Sequence, residues 1–291
     1  MAADPREYGP KPPFPEQQQN APGTVRKLNP PADHGENSYR GTNKLVDRVA
    51  IITGGDSGIG RATAIAFARE GSDIVLSYLP EEEADAKQVE SIVAETGRKV
   101  FRVPGDIRSP QYAESLVATA FGEFNRLDII VNNAAYQRTH AAIDEISPEE
   151  FEDTFRTNVF GLFYLTRAGL PKLKAGGVIL NTTSIQAYEP SESLLAYAAT
   201  KACIANLTKS LAKLAAKQGV RVNAVAPGPV WTPLIPSTMG QDKVRTFGEN
   251  TVFKRPAQPV ELARVFVFLA SDDATYVSGE IYGGTGGRTP F

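Results

Sequence analysis

Short apolar runs alternate with longer amphipathic stretches from Arg48 to the end of the chain. The apolar runs predict strands at Val49–Thr53, Asp73–Tyr78, Val100–Val103, Leu127–Asn132, Val178–Thr182, Val220–Val225 and Glu280–Tyr282. Helices are predicted between most of them, at 58–70, 81–96, 110–125, 148–174, 195–218 and Glu261–Ala270. Several of these strands are continuous Val, Ile and Leu runs, as expected when both faces are buried. The pattern predicts a single α/β domain, with a doubly wound, seven-stranded parallel sheet and helices on both faces.

The first 44 residues do not follow this alternation. They contain eight of the 21 prolines, a Gln17–Gln19 run and few large apolar residues. Such a segment buries too little apolar surface to offset its ordering entropy, so a loose arm is expected. The alternative is an arm that wraps a neighbouring subunit. We therefore divide the chain into an arm at 1–44 and a domain at 45–291, in which the proline-containing stretch 229–258 is predicted to form a flap near the active site.

Composition and charge exclude several classes of protein. The formal net charge is -2 and there is no basic stripe, which argues against a nucleic-acid partner. Cys203 is the single cysteine, and the two histidines, His34 and His140, are far apart, so no metal site is predicted. The sequence has neither a signal-peptide core nor a run of about 18 apolar residues, so no membrane association is expected. A reducing, cytoplasmic location follows as an expectation.

A glycine-rich turn directly follows the first predicted strand. Thr53-Gly54-Gly55-Asp56-Ser57-Gly58-Ile59-Gly60 leads straight into a helical pattern. The free N–H groups and the dipole at a helix N-terminus favour a pyrophosphate, and glycines permit close backbone approach. Turns use glycine in any case, so the alternative is a plain strand–helix turn. The position on the first strand favours dinucleotide binding.

Tyr197 and Lys201 lie one helical turn apart and therefore share a helix face. A free tyrosine has a pKa near 10, and a neighbouring ammonium favours the phenolate, so the lysine is expected to lower that pKa. Ser184 lies 13 residues before Tyr197, at the end of a strand, where a hydroxyl can stabilise charge on a substrate oxygen. Asn158 lies within a predicted helix, although asparagine is a poor helix former. The alternatives are a solvated Tyr–Lys pair, a serine at a strand end and a surface asparagine.

Together, the Gly-x-x-x-Gly-x-Gly spacing and the order Asn158, Ser184, Tyr197, Lys201 resemble the short-chain dehydrogenase/reductase family over residues 45–287. The chain is most similar to a subgroup of bacterial aldehyde reductase-like and plant glucose/ribitol dehydrogenase-like proteins. The resemblance implies a Rossmann fold and an NAD(P)-dependent oxidoreductase that acts on an alcohol or carbonyl group, with Tyr197 as the acid/base. In the family, the lysine also holds the nicotinamide ribose, and the asparagine distorts its helix and holds a water that relays protons.

The resemblance also implies the cofactor contacts. They are Gly54, Asp56, Ser57, Gly58, Ile59, Gly60, Tyr78, Asp106, Ile107, Asn133, Ala134, Ala135, Tyr197, Lys201, Pro227, Gly228, Val230 and Thr232. Ala135 departs from the family's usual Asn-Asn-Ala-Gly. This narrows the space expected beside the adenine ribose.

The residues after the second strand bear on the choice of nucleotide. A carboxylate at the end of that strand normally binds the ribose of NAD, but this chain has Tyr78 there. The positions where NADP enzymes carry a cation are Leu79 and Ser57, and Glu81, Glu82 and Glu83 follow closely. An acidic cluster disfavours a phosphate. We expect NAD or dual use, with a preference for NAD.

The substrate is expected to be a small molecule of the aldehyde, sugar or polyol class. Gln186, Tyr188 and Trp231, with Tyr136 and Gln137, are predicted to line its site, although each could be a core residue. The family implies a homotetramer, with helices 148–174 and 195–218 pairing across a two-fold axis. An alternative function is a dinucleotide-sensing module without catalysis. An enoyl reductase is disfavoured, because that branch spaces its tyrosine and lysine more widely.

Overall fold

Seven parallel strands form one sheet in a computed structural model that describes residues 4–288. They are β1 (Val49–Thr53), β2 (Asp73–Tyr78), β3 (Val100–Pro104), β4 (Ile129–Asn132), β5 (Val178–Thr182), β6 (Arg221–Pro227) and β7 (Ile281–Gly284). Their order is β3-β2-β1-β4-β5-β6-β7. Successive strands are therefore added to one side of β1 as far as β3 and to its other side from β4 onwards. A doubly wound sheet binds its ligand in the crevice at such a point, here between β1 and β4. The predicted fold is confirmed.

Nine α-helices are present within the described residues. They are α1 (Gly58–Arg69), α2 (Glu83–Ala94), α3 (Pro110–Phe124), α4 (Pro148–Phe155), α5 (Gly161–Gly169), α6 (Leu195–Ala215), α7 (Leu234–Thr238), α8 (Gln241–Arg245) and α9 (Pro259–Ala270). The apolar sides of α1, α2 and α9 pack on one face of the sheet, and those of α3, α5 and α6 pack on the other. Two cores, one on each face, hold the strand ends in place.

The long helix predicted at 148–174 is divided in the structure. It consists of α4, a π-helical turn at Arg156–Phe160, α5 and a final short turn. Ser147 caps the first helix by accepting a hydrogen bond from the N–H of Glu150, and Pro148 occupies the first turn, where it needs no donor. A π-turn inserts one extra residue into a helix, a feature found frequently at functional sites.

The N-terminal arm is not loose, contrary to the expectation from its composition. Its described residues lie against their own chain. Phe14 stacks on Trp231 with ring centroids 4.1 Å apart, and the indole Nε1–H of Trp231 donates to the carbonyl of Pro30 at 2.8 Å. Near the end of the arm, Tyr39 and the N–H groups of Thr42 and Lys44 all donate to the buried carboxylate of Glu70. Over residues 4–44 the arm has no hydrophobic core of its own and is held on the domain by a few large side chains and by hydrogen bonds of its backbone.

No helix among residues 4–288 is both long and apolar enough to span a membrane.

Candidate active site

The glycine-rich loop between β1 and α1 brings backbone against backbone. Gly54 and Gly58 have positive φ values of 60° and 51°, a region that side chains disfavour. A Cβ on Gly60 would lie 1.9 Å from the carbonyl oxygen of Gly54, so only glycine fits there. The first turn of α1 is thereby held against the end of β1, with its free N–H groups at the carboxyl edge of the sheet.

The Thr53 hydroxyl joins the ends of β1 and β4, the two strands between which the order of strand addition changes. It accepts hydrogen bonds from the N–H groups of Asn133 and Ala134 at 2.9 and 3.0 Å. The amide Nδ2 of Asn133 donates to the carbonyl oxygens of Thr53 and Gly54 at 3.0 and 3.2 Å. These bonds fix the ends of the two strands relative to each other at the edge of the crevice.

A cavity of about 800 Å³ lies along this edge. Most of the predicted cofactor positions line it, namely Gly54, Asp56, Ser57, Gly58, Ile59, Tyr78, Asp106, Ile107, Asn133, Ala134, Ala135, Tyr197, Lys201, Pro227, Gly228, Val230 and Thr232. Gly60 lies behind the loop. The glycine cradle, the helix N-terminus and the elongated set of lining residues fit a nicotinamide dinucleotide. No group of three or more His, Cys, Asp or Glu side chains within residues 4–288 is arranged to hold a metal ion.

Tyr197 and Lys201 reach this cavity from α6. Tyr197 is partly exposed at its wall, whereas Lys201 is 2% exposed. The ammonium Nζ lies 5.3 Å from the centre of the Tyr197 ring and donates to the carbonyl of Thr182 at 2.8 Å. The end of β5 therefore positions the lysine beneath the tyrosine.

Burial shifts the pKa values of both groups towards the neutral forms. It raises the pKa of Tyr197 to about 12, against a smaller lowering by the Ser184 hydroxyl. It lowers the pKa of Lys201 to about 7. The sequence predicted that the lysine would lower the pKa of Tyr197, whereas desolvation is the largest influence on both groups and raises the tyrosine pKa.

Asn158 occupies the π-turn between α4 and α5 and is buried. Its Oδ1 accepts from the N–H of Tyr136 at 2.7 Å, and its Nδ2 donates to the carbonyl of Tyr136 at 2.9 Å and to the hydroxyl of Thr200 at 3.0 Å. The Thr200 hydroxyl in turn donates to the carbonyl of Tyr197 at 2.6 Å. Asn158 therefore links the distorted helix to the loop after β4 and to α6.

Ser184 follows β5 and lines the cavity beside Tyr197. Its hydroxyl accepts from the N–H of Gln186 at 3.2 Å, which orients the oxygen beside Tyr197. Thr183 also lines the cavity, but its hydroxyl donates to the carbonyl of Lys201 at 2.7 Å. Of the two hydroxyls, only that of Thr183 is thus committed to a backbone carbonyl.

The predicted substrate lining agrees only in part with the structure. Gln186, Tyr136 and Gln137 line the cavity, but Tyr188 and Trp231 lie outside the set of described residues that do so. Trp231 is fully buried, because Phe14 of the arm covers it. Its neighbours Val230 and Thr232 face the cavity instead.

Sequence reasoning missed two parts of the site. Ala21, Pro22 and Gly23 of the arm form part of the cavity wall, and Glu82, which the sequence suggested only as part of an acidic run, lines it as well. A Cβ on Gly23 would lie 2.5 Å from the carbonyl oxygen of Pro233, so the arm touches the segment before α7 directly. The only available signals were a lone phenylalanine and a lone leucine, Phe14 and Leu28, in a proline-rich segment.

Residues 54–289 match the family described as "Enoyl-(Acyl carrier protein) reductase". An uncharacterized oxidoreductase of Escherichia coli, YghA, is 50% identical over 276 residues, which are 94% of each chain. The chloroplastic NADPH-dependent aldehyde reductase 1 of Arabidopsis thaliana is 40% identical over 278 residues, which are 93% of this chain and 96% of the relative.

Among solved structures, a short-chain dehydrogenase of Burkholderia cenocepacia in complex with NADP superposes with a TM-score of 0.79. It is 26% identical, and the alignment covers 84% of this chain and 98% of that one.

Proposed function

Since the chain belongs to the short-chain dehydrogenase/reductase family and is an NAD(P)-dependent oxidoreductase, we propose that it interconverts an alcohol with its aldehyde or ketone, using Tyr197 as the acid/base. One observation carries this proposal. The Tyr197 ring lies on the cavity wall, one helical turn from the buried Lys201 and beside the Ser184 hydroxyl.

A nicotinamide dinucleotide held by the glycine loop and Lys201 would supply the hydride for reduction and, in its oxidised form, a positive charge. In the cofactor-free site the raised pKa keeps the Tyr197 hydroxyl protonated, which suits a proton donor to the carbonyl oxygen. Ser184 donates a second hydrogen bond to that oxygen and stabilises its developing charge. In the opposite direction, Tyr197 accepts the proton of the alcohol.

Lys201 has a pKa of about 7, so it takes up and releases a proton near neutral pH and is suited to resupply Tyr197. Asn158 acts as a positioning residue, because its three hydrogen bonds hold the π-turn against Tyr136 and Thr200. Truncation of its side chain would leave a buried polar site unpaired and disturb the helix that carries Tyr197.

The substrate is proposed to be a small aldehyde, sugar or polyol. Gln186 and Gln137 offer amide groups, and Tyr136 offers an aromatic ring, around the same cavity. Both the NADPH-dependent aldehyde reductase and a glucose and ribitol dehydrogenase of Daucus carota, 37% identical over 278 residues, support this class. We propose NAD as the preferred cofactor. The Arabidopsis thaliana relative is NADPH-dependent, and the Burkholderia cenocepacia structure is a complex with NADP. Both nucleotides must therefore be measured in parallel.

A homotetramer is also proposed. Phe151, Phe160 and Phe163 are exposed along α4, the π-turn and α5, and Leu195 and Leu214 are exposed on α6. These apolar side chains support pairing of the same helices between subunits. The cytoplasmic location stays a prediction of the sequence.

The proposed activity is tested by following nicotinamide absorbance, with NADH and NADPH in parallel, against aldehydes, ketones, sugars and an enoyl thioester. Tyr197→Phe is expected to lower turnover of a carbonyl substrate at least about 100-fold and to leave cofactor binding intact. The matched control is Tyr276→Phe, since Tyr276 is fully exposed, and its turnover should equal that of the wild type.

Three outcomes would contradict the proposal. Undiminished turnover in Tyr197→Phe would exclude the tyrosine as acid/base. Oxidation of the cofactor by the enoyl thioester alone would assign the enoyl reduction that the family description names. Cofactor binding without turnover of any compound would favour the dinucleotide-sensing module.

A further inference from the structure

Asp56 is a buried carboxylate without a partner. It lies in the glycine-rich loop, is 1% exposed and lines the cofactor cavity. The Ser57 hydroxyl and the Glu82 carboxyl lie close to it, yet neither carboxylate oxygen makes a hydrogen bond of normal geometry within residues 4–288. Burying an ionised group in this way is costly, and native structures normally satisfy such groups. The two free acceptors therefore indicate a ligand that brings its own donors.

Glu82 faces the same end of the cavity from the turn that precedes α2. One of its oxygens accepts from the N–H of Leu79 at 3.2 Å. Asp85, on α2, is engaged by the arm, because its Oδ2 accepts from the N–H of Val25 at 2.8 Å. Burial raises the pKa of Asp56 to about 6 and that of Glu82 to about 8, with repulsion among the three carboxyl groups adding to the effect. The two carboxyl groups therefore share a buried, acidic part of the cavity, where burial and mutual repulsion disfavour ionisation of both.

The position normally used for ribose recognition is occupied differently in this chain. Tyr78 ends β2, and its hydroxyl donates to the Glu83 carboxylate. Two nearby guanidinium groups are also engaged. Arg102 pairs with Glu83 and Glu90, and Arg108, which lines the cavity, pairs with Asp106 and Asp153. A 2′-phosphate would therefore have to compete with these carboxylates for either guanidinium group.

Building on the proposed dinucleotide site, we propose that Asp56 and Glu82 together bind the vicinal hydroxyls of the cofactor's adenosine ribose and exclude a 2′-phosphate. A ribose diol carries two O–H donors, which match the two free oxygens of Asp56. A 2′-phosphate would place a second anion against a buried carboxylate, where low dielectric makes the repulsion strong. The glycine loop and the turn before α2 thus take the role that a carboxylate at the end of β2 has in other NAD enzymes.

The test is equilibrium binding of NADH and NADPH, followed by nicotinamide fluorescence, for the wild type, Asp56→Asn and Glu82→Gln. The wild type is expected to bind NADH at least 10-fold more tightly than NADPH. Asp56→Asn is expected to weaken NADH about 10-fold or more and to leave or improve NADPH binding, so the selectivity collapses. Glu82→Gln should shift the ratio in the same direction. The control is Glu81→Gln, because Glu81 is exposed on the same turn, and its ratio should stay unchanged.

Binding of ADP-ribose and of its 2′-phosphorylated form gives a second readout at the ribose end alone. The wild type should prefer ADP-ribose, and Asp56→Asn should abolish that preference. Equal or tighter binding of the 2′-phosphorylated ligands by the wild type would overturn the inference. So would an unchanged selectivity ratio in both variants. If the wild type bound neither NADH nor NADPH, the proposed function itself would fail, and the two failures are therefore distinguishable.

Discussion

Truncation of Phe14 should release the N-terminal arm while the rest of the fold stays intact. Phe14 is 4% exposed and stacks on Trp231 at an interplanar angle of 20°. Its N–H also donates to the carbonyl of Arg245 at 2.8 Å, and that of Gln19 donates to Pro236 at 2.9 Å. Beside the aromatic stack, Leu28 is buried in the same cluster, and a few backbone hydrogen bonds complete the contact.

The cost of Phe14→Ala is estimated from its burial. Replacing a buried phenylalanine by alanine destabilises by about 3–5 kcal/mol. Each backbone hydrogen bond that remains contributes only about 1 kcal/mol. The Phe14 ring is, with Leu28, one of the two buried apolar contacts of this part of the arm, and its loss is therefore expected to allow local detachment before global unfolding.

Trp231 is the single tryptophan of the chain, so its fluorescence reports arm docking directly. Phe14→Ala should shift its emission to the red and raise its quenching by acrylamide, at urea concentrations where far-UV circular dichroism is unchanged. Because Ala21, Pro22 and Gly23 line the cavity, cofactor binding should weaken as well.

The control for Phe14→Ala is Phe101→Ala, which removes the same ring from an exposed position on β3. It should leave Trp231 emission and cofactor binding unchanged. If Phe14→Ala left Trp231 emission and quenching at the wild-type values, and stability fell by less than about 1 kcal/mol, the reasoning would be refuted.

Three further predictions concern the same site. Gly23→Ala places a Cβ 2.5 Å from the Pro233 carbonyl oxygen and should weaken cofactor binding in a fluorescence titration. The control is Gly122→Ala, whose Cβ would meet nothing within 4 Å and which should not weaken cofactor binding. If Gly23→Ala bound the cofactor as tightly as the wild type, the contact between Gly23 and Pro233 would have no effect on the site. Burial lowers the pKa of Lys201 to about 7, so the unfolded chain binds this proton more tightly and stability gains from rising pH between about 7 and 10. In urea unfolding, the free energy of unfolding of Lys201→Met should no longer rise with pH in this range. If its dependence on pH equalled that of the wild type, the lowered pKa of Lys201 would be excluded as the cause. Burial raises the pKa of Asp56 from 3.8 to about 6, so the folded state loses stability as pH rises through this window. Asp56→Asn should therefore have a free energy of unfolding roughly 1–3 kcal/mol above that of the wild type at pH 7, but not at pH 4; a lower free energy of unfolding at pH 7 would show a structural role.

Several features of this protein followed from the sequence because they depend on residues close together in the chain. The alternation of apolar runs with amphipathic stretches placed all seven strands, with most boundaries within two residues, since burial on both faces imposes a local pattern. The glycine spacing between β1 and α1 predicted a tight turn, which the structure has at the cavity edge. The four-residue interval between Tyr197 and Lys201 placed both on one helix face.

Other features depend on contacts between distant segments. The fate of the arm was decided by Trp231, which lies about 200 residues away and buries an otherwise isolated Phe14. Composition alone predicted a loose segment, because it counts apolar residues within the arm and not the surface that the domain offers them. Because Trp231 stacks on Phe14, it does not line the cavity, although the sequence predicted that it would.

The sequence by itself determined the parallel sheet, the glycine loop and the order of the four candidate catalytic residues, since each is written in a local period or spacing. Only the tertiary structure decided that Asp56 and Glu82 converge on one end of the cavity and that Lys201 has a lowered pKa. Parallel strands bring the loops at their carboxyl ends together, whatever the sequence distance between them. Desolvation in turn depends on everything that packs around a group, and no spacing along the chain encodes it.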